Sequence, residues 1–177
     1  FSKTGNNSSY PLGNEKYVGV NDNDTIIGIK NKNNLLWIMK RFSTWILSDK
    51  AQDPVKISNR GAVNKNAFDG SDQNFMSFAS NGYIYKYTPT DFSLSEIRYQ
   101  YRSSNIQRFL DGVNKEALSV IRCVSYITKT KTQTFFTVPY GSGVTKNNRV
   151  FVYDSNLSKL SERDESWWPF RFMFDIS

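Results

Sequence analysis

Short runs of aromatic and β-branched residues, each too brief for a helix and each closed by a polar turn, recur along this chain and leave little room for anything but antiparallel strands. The plainest is Asn74-Phe75-Met76-Ser77-Phe78-Ala79-Ser80, then Asn81-Gly82, then Tyr83-Ile84-Tyr85-Lys86-Tyr87. Asn-Gly readily adopts the positive φ angles of a type I′ turn, so a tight hairpin is expected here. Upstream, Ile26-Ile27-Gly28-Ile29, the turn Asn31-Lys32-Asn33-Asn34, Leu35 to Met39, a second turn at Lys40-Arg41, and Phe42 to Leu47 predict a three-stranded meander. Regular structure is expected to begin near Tyr17, after a polar lead-in over residues 1–16.

Past the break at Asp53-Pro54, Val55-Lys56-Ile57 predicts a further short strand. Near residues 93–112 the pattern changes. Ser93-Leu94-Ser95-Glu96 fits a capping box, and Leu94, Ile97 and Tyr101 share one helical face. Ser104-Asn105-Ile106-Gln107 repeats the signature, with Ile106, Phe109 and Leu110 as the stripe and Gly112 as the stop, so two short helices, or one broken one, are expected to interrupt the strands. Strands are expected again over Leu118 to Ile127, Thr134 to Val138 and Arg149 to Tyr153, followed by a polar stretch and the aromatic run Trp167-Trp168-Pro169-Phe170-Arg171-Phe172. The expectation is an all-β, mainly antiparallel domain over residues 17–177, built of hairpin blades as in a β-propeller. Composition and period leave a partial propeller, a fragment of a larger one and a sandwich open.

The chain has 177 residues, no histidine and one cysteine, Cys123. Disulfides within the chain, thiolate zinc clusters and imidazole acid–base chemistry are therefore excluded. Lysine and arginine number 23 against 16 aspartate and glutamate, a formal charge of +7 that biases the surface toward anionic partners. No apolar run approaches the length of a transmembrane helix, and the first residues lack a signal peptide's apolar core, so membrane insertion is not expected. The chain begins with Phe1 rather than Met, which suggests a processed product or part of something longer.

Lys40, Arg41 and Phe42, flanked by Trp37 and Trp45, mix cations with aromatics as a base-stacking, phosphate-neutralising surface would, although the strand spacing of the aromatics favours core packing. Arg98, Arg102 and Arg108 fall on the expected helices away from the apolar stripes, as a DNA-facing or partner-facing basic surface or as an ordinary solvated face. Trp167, Trp168 and Phe170 form the densest aromatic cluster, suited to an interface, to a sugar, or to closing the last blade onto the core. Asp69 to Asn74 and Asp154 to Ser158 offer oxygen ligands but miss the EF-hand pattern, so no metal is expected. No catalytic residue and no cofactor are expected either.

Three stretches resemble a known family: Ile57-Ser58-Asn59-Arg60-Gly61-Ala62-Val63; Phe78 to Tyr85 running on to Leu94-Ser95-Glu96-Ile97; and Phe135-Phe136-Thr137-Val138-Pro139 with Asn148 to Asp154. Together they look like the β-propeller tail proteins of tailed bacteriophages, of the packaged-DNA stabilisation and tail tubular, nozzle or hub type. The resemblance implies a non-enzymatic structural protein of the virion, in a ring around the channel of DNA ejection, contacting other tail or portal-complex subunits and tolerating non-specific DNA. A homo-oligomeric ring would fit it. Two other classes fit the composition: a glycan-binding module of a secreted or surface protein using Trp167 and Trp168, and a nucleic-acid-binding β domain.

Overall fold

In the computed structural model, the described residues are 15–32, 34–48, 52–71, 75–88, 98–101, 107–129, 132–154 and 167–171, with backbone alone at 88, 98–101, 107–108 and 167–171. They are mostly antiparallel β. Three four-stranded sheets follow one another along the chain. The first holds β1 (Ile26–Lys32), β2 (Leu35–Lys40), β3 (Thr44–Leu47) and β4 (Val55–Ser58). The second holds β5 (Phe68–Gly70), β6 (Phe75–Phe78), β7 (Ile84–Thr88) and β8 (Arg98–Tyr101). The third holds β9 (Arg122–Ile127), β10 (Thr132–Val138), β11 (Arg149–Asp154) and β12 (Trp167–Arg171). Each sheet is a meander in which every strand pairs with its sequence neighbour.

Strand periodicity explains how the sheets stack. Side chains alternate between faces, and on β6 and β7 both faces are buried. Phe75, Tyr85 and Tyr87 pack against Leu35, Trp37, Met39 and Ile46 of the first sheet. Met76, Phe78 and Ile84 pack against Cys123, Phe136, Val138, Phe151 and Tyr153 of the third. The second sheet is thus the middle layer. Trp37 stacks on Phe75 at 4.3 Å between centroids and meets Tyr87 edge-on at 5.8 Å. Such pairs add roughly 0.5–1.5 kcal/mol to the area they bury.

The crossing from the first sheet to the second is made by the Arg60–Val63 stretch. The Ala62 amide donates to the Lys40 carbonyl and the Val63 amide to the Phe78 carbonyl, so the backbone is stitched to both sheets at once. Gly61 is forced: a Cβ there would lie 1.9 Å from the Lys40 carbonyl oxygen. Thr44 and Tyr87 both donate to the Arg60 carbonyl, at 2.6 and 3.1 Å, closing the same crossing from either side.

Several expectations need correction. Residues 98–101, expected in a helix, form β8, paired through Tyr85↔Tyr101 and Tyr87↔Tyr99. The free edge of β7 offers ladder hydrogen bonds that outweigh a local helical preference. Leu94 and Ile97 lie outside the described residues. The second expected helix is a single turn, α1 (Gln107–Leu110), within the described residues. Residues 118–120, expected in a strand, belong to a 3₁₀ helix over Lys115–Val120 whose N-cap, Asn114, accepts the Glu116 amide. Among the described residues, regular structure begins at Ile26 rather than near Tyr17, because the stretch just before it folds into turns with positive φ at Gly19, Asn21 and Asn23. The Asn81-Gly82 hairpin exists, but only Gly82 has positive φ, and its amide closes a turn onto the Ala79 carbonyl. Ser80 enlarges the loop beyond two residues, so the I′ geometry is not required.

Candidate functional site

A cleft of about 340 Å³ opens at one edge of the stack. Its walls come from four places in the sequence. Arg41 arrives on the β2–β3 turn, Val63 on the crossing between sheets, Ser80 on the β6–β7 turn, and Lys115, Glu116, Leu118 and Ser119 on the 3₁₀ helix. Two cations and two hydroxyls thus share a cleft with one carboxylate and an apolar wall.

Local structure fixes these groups. Asn114 caps the 3₁₀ helix and also donates to the Val144 carbonyl, tying the helix to the β10–β11 loop. Asn64 donates to the carbonyls of Leu118 and Ile121, holding the helix against the crossing segment. Lys115 donates to the Leu110 carbonyl at 3.2 Å and lies over the Gly82 turn, where a Cβ would come within 2.5 Å of its Nζ. Partial burial lowers the Lys115 pKa, opposed by the nearby Asp111 charge. An ammonium short of solvent is a group that an incoming anion stabilises.

The residues singled out in the sequence part company here. Arg41 is exposed, lies 5.7 Å from the Phe42 ring centroid and lines the cleft. Lys40, expected beside it as a contact residue, is 2% exposed and bonded to both Asp22 carboxylate oxygens at 2.6 and 2.7 Å. It also donates to the Val18 carbonyl, so its charge fastens the segment before β1 and is not presented to a partner. Strand alternation explains the difference: Lys40 still belongs to β2, while Arg41 has entered the turn. Trp37 is core, Trp45 half-buried. Arg98 stands on β8 opposite Thr88 rather than on a helix, and Arg108 lies in α1. Arg102 lies outside the described residues. Trp167, Trp168 and Phe170 fall on β12, paired with Tyr153, Val152 and Val150 of β11.

Of the oxygen-rich stretches, Asp69 serves the fold, while residues 72–74 and 155–158 lie outside the described residues. One Asp69 oxygen takes the Lys30 ammonium at 2.9 Å and the other the Ser125 amide at 2.8 Å, so a single carboxylate joins β1, β5 and β9. Among the described residues no group of three or more histidine, cysteine, aspartate or glutamate side chains is placed to hold a metal, and no helix is long and apolar enough to cross a membrane. The Cys123 thiol is buried, and burial raises its pKa well above the ordinary thiol value.

The end faces of the stack are the other notable surface. Ile29 on the first sheet is 53% exposed, and Val124 and Tyr126 on the third are 57% and 59% exposed. Lys115 and the 3₁₀ helix were missed by sequence reasoning, although Asn114 followed by Lys115-Glu116 carried a capping signal. No protein-family model matches this chain, and neither does any curated protein.

Proposed function

We propose that the chain is a non-enzymatic structural segment, an arc of β-propeller-type blades that serves as a rigid part of a phage tail hub or nozzle. The single observation that carries the architectural half is the stacking of three successive four-stranded meanders with their first strands side by side, joined through Lys30, Asp69 and Ser125. Blades around a common axis are built this way. The apolar side chains on the two end faces suit contact with further sheets of the same kind. Charges committed to pairs within the architecture, the buried Lys40 with Asp22 and the half-buried Asp69 with Lys30, favour a scaffold over a catalyst.

The virion half rests on the resemblance of the three quoted stretches, and the excess of positive charge suits a wall beside passing DNA. Immunogold labelling tests it. Antibodies against this chain should decorate the tail of intact particles of the phage whose genome encodes it. Label confined to the lysate of infected cells, or turnover of a polysaccharide by the purified chain, would reject the proposal.

A further inference from the structure

From the cleft beside Arg41 we infer a binding site for the carboxylate of an acidic side chain, aspartate or glutamate, presented by an extended segment of a partner polypeptide. The inference goes beyond the tail proposal and does not depend on it. Arg41 and Lys115 supply two positive charges to the lining of one cleft, and Ser80 and Ser119 supply hydroxyl donors. A guanidinium can hold a carboxylate through two parallel N–H bonds, and an ammonium can donate a third from the side. Only one Lys115 donor is committed to the Leu110 carbonyl, at 3.2 Å.

Val63 and Leu118 decide between kinds of anion. They give the cleft an apolar wall against which the methylene stem of a glutamate packs, whereas a bare phosphate gains nothing from it. Glu116 decides against a nucleic acid: a phosphodiester chain carries a charge at every nucleotide and would bring further anions toward this carboxylate. A peptide brings the opposite, because the backbone N–H groups beside its acidic side chain can donate to Glu116. At about 340 Å³, the cleft takes one or two side chains rather than a folded surface.

The test uses the full chain, isotopically labelled, titrated with an acetylated, amidated pentapeptide carrying a single central glutamate flanked by leucine, and followed by amide NMR. The matched peptide with glutamine, inorganic phosphate and an oligothymidylate are the comparison probes. The expected result is saturable binding of the glutamate peptide that shifts the Ser80, Lys115 and Ser119 amides, with the glutamine peptide weaker by about tenfold or more. Arg41→Gln and Lys115→Met should each weaken the glutamate peptide by a similar factor. Arg41 is exposed on a turn, so Arg41→Gln should keep the parent melting temperature and its loss of binding is read free of folding. Equal binding of the two peptides, unchanged affinity in a folded Arg41→Gln protein, or tighter binding of phosphate or oligothymidylate at the same amides would overturn the inference.

Discussion

At the scale of single residues, two neighbouring cations part according to their backbone: Lys40 ends a strand and is paired inside, while Arg41 enters the turn and is exposed. Lys40 is sealed against Asp22, and hydrogen bonds from Lys40, with help from the Asp24 amide, hold the Asp22 carboxyl below its ordinary pKa. A carboxyl with a depressed folded-state pKa adds stability that is present above the unfolded value and lost as pH falls through the folded one. Urea midpoints measured from about pH 6 down to about pH 2 should therefore fall, and Asp22→Asn should lower the midpoint at neutral pH while flattening the acid limb. A parallel acid limb in the variant would show that this pair does not set acid stability. Cys123 offers a second check. Its thiol is buried and held protonated, so a water-soluble disulfide reagent should leave it intact in native protein and modify it fully in denaturant. Rapid labelling under native conditions would contradict the packing of β9 on the second sheet.

Whole elements show where sequence was enough and where it was not. The hairpins of β1–β2, β6–β7 and β9–β10 were legible because alternation and turn chemistry agree over a few neighbouring residues. β8 was not, because Leu94, Ile97 and Tyr101 match a helical face while Arg98-Tyr99-Gln100-Tyr101 also alternates, and the edge of β7 that decides between them is not a local property. The cleft was half legible for the same reason. Arg41 stood out beside its aromatics, but Lys115 reaches it only once the second sheet has folded between them. Trp37 shows how strongly the layers depend on one another: it lies between β6 and β7 side chains with 1% of its surface exposed. Trp37→Ala should cost about 3–5 kcal/mol, read as a shift in urea midpoint. Tyr87→Phe should cost only about 1 kcal/mol, because Thr44 continues to donate to the Arg60 carbonyl.

For the molecule as a whole, the question is what makes three small sheets one cooperative unit. Two apolar interfaces share the middle sheet, so neither outer sheet can leave without exposing a face of β6 and β7. A polar seam runs across the first strands as well, from the Lys30 ammonium through the Asp69 carboxylate to the Ser125 amide. The Lys30 ammonium lies 5.2 Å from the Phe68 ring centroid, and Gly28 leaves the room that this ring occupies, so the seam and the apolar interface are packed as one. Asp69→Ala removes an acceptor from both ends of the seam, leaving the half-buried Lys30 ammonium with the Phe68 carbonyl alone and the Ser125 amide to find water, a cost of about 1.5–3 kcal/mol. Its effect on cooperativity separates two accounts of the stack. If the apolar interfaces bind the sheets together, indole fluorescence of a protein that keeps Trp37 alone of its four tryptophans and far-ultraviolet dichroism reporting on all twelve described strands should still move through one coincident transition, at lower urea. If the seam is what couples them, the two signals will separate, the first sheet loosening while β5 to β12 remain folded. Coincidence is expected, because the aromatic contacts around Trp37 join three strands of two sheets while the seam joins the sheets only at their first strands.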